Sequence, residues 1–323
     1  MTISLPPTVS VIIPAYNSEQ FVGASIDSVL AQSYRPLEVV VVDDGSKDGT
    51  KAAVRAFGDR VRYLFQANQG PAAARNTGIA AATGDLICFL DADDLWTADK
   101  LESQVAFMEQ HPAVGLLFAD SEEFEAETVA CRSLLATSRY WAELQAQPIV
   151  REAFQKLLEE NFIPTSTVMI RKECFATAGT FDVMLKGPED RDMWSRIAAH
   201  VPIAVMPRVL ARKRVVLSSV SRDVETTLRS RVRLWTKARR LFPELAAAPT
   251  VDALLAATYL HLGFVLLHKE NTREARQAGL KVFRVSRRPY DWLMGGAIVA
   301  LSLTGKGFAD VVFHAARRVR GKR

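Results

Sequence analysis

The sequence has few of the residues that cross-link small secreted proteins or hold zinc. Its three cysteines, Cys88, Cys131 and Cys174, are far apart and odd in number, which excludes a disulfide framework and a zinc-binding spacing. The five histidines form no cluster, and no Ser-His-Asp set is apparent. We therefore expect a protein of a reducing compartment whose chemistry does not depend on a thiol or on a serine nucleophile.

Long apolar runs are also scarce. The first residues show no basic segment followed by an apolar stretch, so we expect no signal peptide. We find no stretch that reaches the roughly 18 uncharged apolar residues of a membrane-spanning helix. The 323 residues suffice for one large domain with an appendage, or for two domains. These features predict a cytoplasmic protein.

Charge is unevenly distributed along the chain. Residues 1–207 carry 17 Lys and Arg against 28 Asp and Glu, whereas residues 208–323 carry 24 against 8. An acidic half suits cation-dependent chemistry, and a basic half suits an anionic surface such as phospholipid or nucleic acid. The alternative is two solvated faces of opposite sign.

The apolar pattern predicts an α/β fold for the first part of the chain. Short apolar strands alternate with segments of helical periodicity, with strands at 8–14, 37–44, 61–66, 85–91 and 114–120 and helices at 17–33, 50–57, 70–83 and 97–111. This alternation favours right-handed crossovers and a mainly parallel, Rossmann-like sheet flanked by helices.

The remainder divides into three parts. Residues 121–160 look irregular, with a helix near 150–160, and are followed by a strand at 165–171, a helix at 189–200 and a strand at 201–207. From residue 222 the pattern is helical. We therefore predict a catalytic domain over 1–221 and a helical C-terminal region over 222–323.

Carboxylates gather where predicted strands end. Asp43 and Asp44 follow one strand, and the stretch FLDADDLW places Asp91, Asp93 and Asp94 after another. In open α/β sheets ligands bind at this edge. Asp91 and Asp93 could both approach one Mg²⁺ or Mn²⁺, which prefer oxygen ligands, and Asp43 or Asp44 could accept a hydrogen bond from a base or ribose. The alternative for both groups is a solvated acidic turn.

A third acidic group opens a predicted helix. In GPEDRDMW, Glu189 and Asp190 lie in the first turn, where the helix dipole stabilises carboxylates. A carboxylate here could deprotonate an acceptor hydroxyl, although a helix often begins with such residues without any catalytic role.

Taken in order, three stretches resemble a known family. VSVIIPAYNSEQFVGASIDSVLAQSYRPLEVVVVDDGSKDGT, NQGPAAARNTGIAAATGDLICFLDADDLW and EDRDMWSRIA together are similar to a family 2 inverting glycosyltransferase of the GT-A fold. The resemblance covers residues 8–120 and resumes at 161–200. It implies an EC 2.4 transferase that moves a sugar from a nucleotide-diphospho-sugar to a hydroxyl acceptor by a single, metal-assisted displacement.

The resemblance also implies roles for individual residues. Asp190, or Glu189 as second choice, would be the catalytic base, and Asp93 and Asp91 would hold Mn²⁺ or Mg²⁺. Trp194 and Arg196 would fix the helix of the base. The substrate-binding residues would be Pro14, Ala15, Tyr16, Asp43, Asp44, Gly70, Arg75, Asn76, Asp91 and Asp94, with the first three lining the nucleobase pocket, Asp44 meeting the base and Asp43 supporting the strand end.

One position departs from the family pattern. Many relatives carry a histidine that assists at the metal or diphosphate, and Val216 stands where it would align. Arg212, Lys213 or Arg214 could supply positive charge instead. The departure leaves open a catalytically silent binding module. A nucleotidyltransferase is a weaker alternative, because PAYNSEQF lacks a basic glycine-rich loop.

The C-terminal region leaves two interpretations open. YDWLMGGAIVALSLTG, followed by the basic RRVRGKR, could lie at an anionic bilayer surface on the cytoplasmic face. The alternative is a helical appendage packed on the catalytic domain. The tail lacks a nucleic-acid-binding pattern, so we expect a cell-surface glycan or lipid-linked saccharide as acceptor and no nucleic acid partner.

Overall fold

The computed structural model describes residues 6–126, 128–215, 223–244 and 248–304. The chain separates into two compact units, one made of Met1–Val183 and Glu189–Ser218, the other of Met184–Pro188 and Ser219–Arg323. Each is described by itself below. The functional division at residue 221 stays a prediction.

The first unit is built on a mixed sheet. Its strands are β1 (Val9–Ala15), β2 (Leu37–Asp43), β3 (Arg62–Phe65), β4 (Leu86–Phe89), β5 (Leu95–Trp96), β6 (Leu116–Glu125), β7 (Thr128–Cys131), β8 (Met169–Arg171) and β9 (Ile203–Arg214). They follow the order β3-β2-β1-β4-β8-β6-β9-β5, with β7 paired to β6. The strands β3, β2, β1 and β4 run parallel, as predicted. Beyond β4 the antiparallel strand β8 intervenes, and the sheet becomes mixed.

Helices cover both faces of this sheet. They are α1 (Val22–Leu30), α2 (Thr50–Arg55), α3 (Pro71–Ala81), α4 (Lys100–Gln110), α5 (Trp141–Ala146), α6 (Ala153–Glu159), α7 (Cys174–Ala178) and α8 (Glu189–Ala198). Because β1 is apolar at every position except Ser10, its side chains enter the cores on both faces, with Ile12 in one and Val11 and Ile13 in the other.

Helix α3 lies unusually close to β1. A Cβ placed on Gly78 would lie 2.3 Å from Cγ2 of Ile12, a separation that no side chain at position 78 could occupy without displacing Ile12 or the helix. Glycine at this position therefore sets the depth at which α3 rests on the sheet.

Some boundaries differ from those predicted. The first helix begins at Val22 rather than near residue 17, because Asn17 adopts a left-handed conformation with φ of 47° and its side chain accepts a hydrogen bond from the Lys47 amide. Residues 165–167 form a 3-10 turn before β8. The last strand, expected at 201–207, continues to Arg214.

The segment 121–160 is more regular than expected. Strand β6 continues to Glu125 and pairs with β7, and α5 and α6 follow. Helix α6 confirms the helix predicted near 150–160.

The second unit consists of helices α9 (Val224–Leu241), α10 (Ala248–His268), α11 (Thr272–Val285) and α12 (Pro289–Thr304). Asp223 and Asn271 cap α9 and α11 by accepting backbone amide hydrogen bonds. A small apolar core joins the helices through residues that include Leu228, Leu266, Ala275 and Ile298.

Helix α10 corrects one expectation. Its segment Thr250–His268 is long and apolar enough to cross a membrane, with a mean hydropathy of 1.6. The expectation that no stretch reaches this length was wrong. It applied to uncharged stretches, and a single charged residue, Asp252, lies near the start of this run. Half of the segment is buried inside the protein, as in the core helix of a helical domain, which passes the same test.

Candidate functional site

The predicted site residues follow three neighbouring strands. Strands β2, β1 and β4 are parallel and adjacent, so the segments after Asp43, Ala15 and Phe89 emerge at one edge of the sheet. The backbone amide of Asp44 donates to the carbonyl of Ala15 at 2.8 Å. The fold therefore places the first two motifs side by side, with the acidic turn after β4 next along the edge.

The two carboxylates after β2 organise loops. Asp43 accepts hydrogen bonds from the Ser46 amide at 2.8 Å and the Tyr63 hydroxyl at 2.7 Å. Burial and the hydrogen bond to Asp43 raise the pKa of Tyr63. Asp43 thus ties the turn after β2 to Tyr63 of β3, and its role toward a substrate stays a prediction.

Asp44 is buried and engaged by the loop that precedes α3. Its Oδ1 accepts from Gln66 Nε2 at 2.7 Å and the Gln69 amide at 2.9 Å, and its Oδ2 accepts from the Gly70 amide at 2.7 Å. Gly70 adopts a φ of 91°, which favours glycine. In this structure Asp44 shapes the 66–70 loop, a contact that the sequence did not reveal.

The segment after β1 presents an aromatic ring to solvent. Tyr16 is 48% exposed, Pro14 is half-buried and Ala15 is buried. The amide of Asn17 donates to the Ser46 hydroxyl. The segment and the loop after β2 thus form one continuous surface.

The acidic stretch after β4 folds into a tight turn. The Asp94 amide donates to the Asp91 carbonyl at 3.0 Å, and the Ser25 hydroxyl reaches the carbonyls of Ala92 and Asp94, each at 2.8 Å. Helix α1 therefore holds the turn from one side.

Strand β9 holds the same turn from the other side. The Arg214 amide donates to the Asp94 carboxylate at 3.0 Å, and Arg214 Nε donates to the Asp93 carbonyl at 3.1 Å. The Ser166 hydroxyl donates to the other oxygen of Asp94 at 2.6 Å. Asp94 is thus a buried anchor of the turn.

Burial and crowded negative charge raise the pKa values of two carboxyl groups in this turn. Burial, and then the neighbouring Asp91 charge, raise the pKa of Asp93. Burial, with the charges of Asp91 and Asp93, raises the pKa of Asp94 well above its usual value. A cation at the turn would lower the pKa values of both residues.

Arg75 joins the acidic turn to the start of α8. Its guanidinium contacts Asp91 Oδ1 at 2.9 Å and Glu189 Oε1 at 3.2 Å, and its side chain is 6% exposed. The guanidinium also lies over the Phe181 ring, 5.5 Å from the centroid. Asn76, next in α3, exchanges two 2.8 Å hydrogen bonds with the backbone of Phe181. Arg75 and Asn76 therefore act within the protein, on the residues around the site.

Asp190 lies at the wall of a cavity. Its Oδ2 accepts from Asn161 Nδ2 at 2.9 Å and lies 3.4 Å from the Thr165 hydroxyl. Burial, and then the neighbouring Glu189 charge, raise the pKa of Asp190 to about 6. Glu189 is instead buried against Arg75, which favours Asp190 as the base.

Other residues of α8 hold the helix. Arg196 pairs with Asp192 at 2.8 Å and donates to the Thr180 carbonyl. Trp194 is fully buried with its ring against Phe89 and Phe181. These contacts agree with the fixing role predicted for Trp194 and Arg196.

The cavity brings together two of the predicted acidic groups. Its volume is about 310 Å³, and its lining includes Asp91, Asp94, Asp190 and Lys213. Asp44 is not part of this lining and lies at the other part of the sheet edge. The sequence predicted both groups of strand-end carboxylates at one edge of the sheet, and the structure places Asp91 and Asp94 in the lining of this cavity and Asp44 against the 66–70 loop.

Several lining residues escaped the sequence analysis. Ser121, Asn161, Thr165 and Ser166 contribute polar groups to the wall. Ser121 is 1% exposed, and its hydroxyl has no hydrogen-bond partner in the described part of the protein. For Asn161, Thr165 and Ser166 the available signal was the stretch NFIPTST, whose last three residues were predicted to begin a strand.

The described residues fit a divalent cation only in part. Among them, no group of three or more His, Cys, Asp or Glu side chains could hold a metal. Asp91 and Asp93 supply two carboxylates, which matches the way Mg²⁺ binds through one or two carboxylates plus substrate phosphates. Val216 lies outside the described residues. The charges of Arg214 and Lys213 partly offset the rise in the pKa of Asp93 that burial and Asp91 cause. Their role in place of the histidine stays a prediction.

Comparison with known proteins identifies the family. A family model described as glycosyl transferase family 2 matches residues 10–177, more than half of the chain. The chain belongs to glycosyl transferase family 2. The predicted family is confirmed, and with it the enzyme class, a transferase.

Two relatives illustrate the extent of the likeness. An uncharacterized glycosyltransferase of Rickettsia typhi is 30% identical over 227 residues, covering 68% of this chain and 66% of the relative. The UDP-Glc:alpha-D-GlcNAc-diphosphoundecaprenol beta-1,3-glucosyltransferase WfgD of Escherichia coli is 47% identical over 102 residues, covering 31% and 40%. The matches span two thirds or less of these two proteins' own lengths.

Solved structures share the fold. The structure of residues 1–349 of S. aureus TarS with UDP has a TM-score of 0.65 at 20% identity, covering 91% of this chain and 89% of that chain. The mannosyltransferase PcManGT from Pyrobaculum calidifontis, solved with GDP-Man and Mn²⁺, has a TM-score of 0.61 at 22% identity, covering 98% and 81%. The predicted GT-A fold with a helical C-terminal region is confirmed.

Proposed function

We propose that this family 2 glycosyltransferase moves a sugar from a nucleotide-diphospho-sugar to a hydroxyl acceptor with inversion at the anomeric carbon. The proposal rests on one observation above the others, which is that Asp190 and the acidic turn residues Asp91 and Asp94 line the same cavity. A base that faces the same cavity as a diphosphate site can act on the acceptor while the donor is held beside it, as a single displacement requires.

Asp190 is proposed as the general base. It takes the proton of the acceptor hydroxyl as the oxygen attacks the anomeric carbon, and the bond between that carbon and the diphosphate oxygen breaks. A pKa near 6 keeps the carboxylate ionised at neutral pH yet basic enough to accept a proton. Asn161 and Thr165 orient its Oδ2.

The acidic turn is proposed to receive the donor diphosphate together with Mn²⁺ or Mg²⁺, held by Asp91 and Asp93. The bound cation would supply positive charge for the departing diphosphate. Arg75 holds Asp91 in place from within the protein. The surface of Pro14, Ala15 and Tyr16, beside the loop that Asp44 holds, is proposed to receive the nucleobase.

The acceptor is proposed to be a cell-surface glycan or a lipid-linked saccharide. The E. coli relative carries a lipid-linked acceptor in its name, which supports this class. The polar wall of the cavity, with Ser121, Asn161, Thr165 and Ser166, suits a ligand rich in hydroxyl groups.

The test is a screen of nucleotide-sugars for thermal stabilisation with and without Mn²⁺, followed by product analysis. A bound donor raises the melting temperature by mass action. We expect one nucleotide-sugar to stabilise the protein and to release nucleoside diphosphate only without EDTA. Release of pyrophosphate would instead identify a nucleotidyltransferase, and stabilisation without turnover on any acceptor would identify a silent binding module.

A further inference from the structure

The outer side of α12 exposes large apolar side chains. Leu293 is 70% exposed, Leu303 64%, Tyr290 63% and Trp292 46%. The opposite side of the same helix is buried in the core of the second unit through Ile298 and Leu301. Helix α12 is therefore apolar on both sides, whereas a solvated surface helix carries polar residues on its outer side.

Helix α11 extends this surface. Leu280 and Phe283 are 48% and 39% exposed, and the Phe283 ring lies 6.1 Å from the ring of Trp292. We call Leu280, Phe283, Tyr290, Trp292, Leu293 and Leu303 the apolar patch. The patch joins side chains of two helices, so it is more than a scatter of single exposed residues.

Two glycines fix the geometry of the patch. A Cβ on Gly279 would lie 2.8 Å from the carbonyl oxygen of Gly295, and a Cβ on Gly295 would lie 3.1 Å from the carbonyl oxygen of Gly279. The helices α11 and α12 thus touch backbone to backbone. This close approach holds Leu280 and Phe283 beside α12.

The exposed charged side chains next to the patch in sequence are basic. Arg284, Arg287 and Arg288 are exposed at the end of α11 and in the connection to α12. The only acidic residue of α12 is Asp291, and it accepts a 2.6 Å hydrogen bond from the Ser286 hydroxyl. Exposed arginines, with aromatic residues of the patch near them in sequence, match the combination that favours the interface of an anionic bilayer.

We propose that the apolar patch docks the chain onto an anionic lipid bilayer as a peripheral protein. Trp292, Leu293 and Leu303 enter the boundary between headgroups and acyl chains, and the three arginines at 284, 287 and 288 contact lipid phosphates. Within the described residues α12 covers Pro289–Thr304, 16 residues, fewer than the roughly 20 that a spanning helix needs, and we place it in the plane of the interface. The proposal is independent of the reaction proposed above.

The test is sedimentation of the full chain with vesicles of phosphatidylcholine alone and of phosphatidylcholine mixed with phosphatidylglycerol. We expect binding to the mixed vesicles that weakens as salt is added. Arg287→Gln and Arg288→Gln should each weaken binding about fivefold, since one basic residue near such a surface contributes about a factor of five. Leu293→Ser should weaken binding at every salt concentration.

The matched control is Val224→Ser. Val224 is also apolar, 47% exposed and in the second unit, but at the start of α9, so this variant should bind as the wild type does. All variants should keep the wild-type melting temperature because they change exposed side chains.

Several results would overturn the proposal. One is vesicle binding that is unchanged in Leu293→Ser and in both arginine variants. If removal of residues 306–323 then abolishes binding, the attachment belongs to that segment and not to the patch. Another is binding that resists alkaline carbonate, which would assign attachment to a spanning helix such as α10. A third is self-association through the patch with no binding to vesicles.

Discussion

Replacing Asp190 with asparagine should abolish transfer while leaving donor binding intact. The substitution preserves shape, and the one oxygen that remains can accept from Asn161, now at 2.9 Å, or from the Arg191 amide, now at 2.6 Å. It removes the group that takes the acceptor proton. Loss of a general base typically lowers the rate about 100-fold to 10,000-fold, so we expect kcat to fall within this range and the donor dissociation constant to stay within about twofold.

The same variant should be more stable than the wild type at neutral pH. The pKa of Asp190 is raised from 3.8 to about 6 in the folded chain, so the contribution of this group to folding stability is fully present below pH 3.8 and is lost as the pH rises through about 6. The full difference corresponds to about 3 kcal/mol, and solvent at the cavity wall reduces it to about 1–2 kcal/mol. The asparagine side chain of the variant does not ionise and should escape this loss.

Two measurements check both expectations. Release of nucleoside diphosphate in the presence of acceptor gives kcat, and its wild-type value should fall as the pH is lowered through about 6. Thermal melts of wild type and Asp190→Asn should diverge at neutral pH and converge below about pH 4. Transfer by the variant at close to the wild-type rate, or a wild-type rate that is flat through about pH 6, would refute the assignment of the base.

Three further substitutions probe the neighbouring groups. Asp93→Ala should lose the stabilisation that a donor gives only with Mn²⁺, and retained metal-dependent stabilisation would contradict the ligand assignment. Arg75→Met should lower the free energy of unfolding by about 3 kcal/mol, because it removes the buried cation that pairs with both Asp91 and Glu189; urea denaturation with a change under about 1 kcal/mol would speak against the bridge. Ser121→Ala should raise the acceptor KM severalfold with little change in kcat or melting temperature, and an unaltered KM would show that its hydroxyl does not meet the acceptor.

The sequence predicted the parallel part of the sheet well because its strands are buried. Runs such as LEVVVVD are apolar at consecutive positions, and β2 is covered from Val39 to Asp43. The carboxylates that end these strands could then be placed at one edge by the rule for parallel sheets. For this part of the fold, hydrophobic pattern and topology carry enough information.

Strand β9 was cut short in the prediction because its second half is charged. Arg212 pairs with Glu122 at 2.6 Å, and Lys213 pairs with Glu123 at 3.0 Å. The partners lie on β6, 90 residues earlier in sequence and beside β9 in the sheet. These parts of β6 and β9 are joined by opposite charges from segments far apart in sequence. A local apolar pattern therefore could not reveal that β6 continues to Glu125 and β9 to Arg214.

The role of Arg75 also depends on contacts far apart in the chain. Its carboxylate partners, Asp91 and Glu189, are 16 and 114 residues away. Family resemblance placed Arg75 in the segment that shapes the donor site, and the geometry adds that it links the acidic turn to the helix that carries Asp190. Likewise, the loop that engages Asp44 follows a different strand, and its proximity becomes visible only in three dimensions.

The close contact of Gly78 with Ile12 determines how near α3 lies to β1, and so where the helix holds Arg75. Arg75 precedes Gly78 by about one helical turn, so a methyl group added at position 78 would lift the helix and withdraw the guanidinium from both carboxylates together. A substitution at Gly78, on the buried side of α3, would thereby weaken the link between the segments of Asp91 and Glu189 without changing any polar side chain of the cavity.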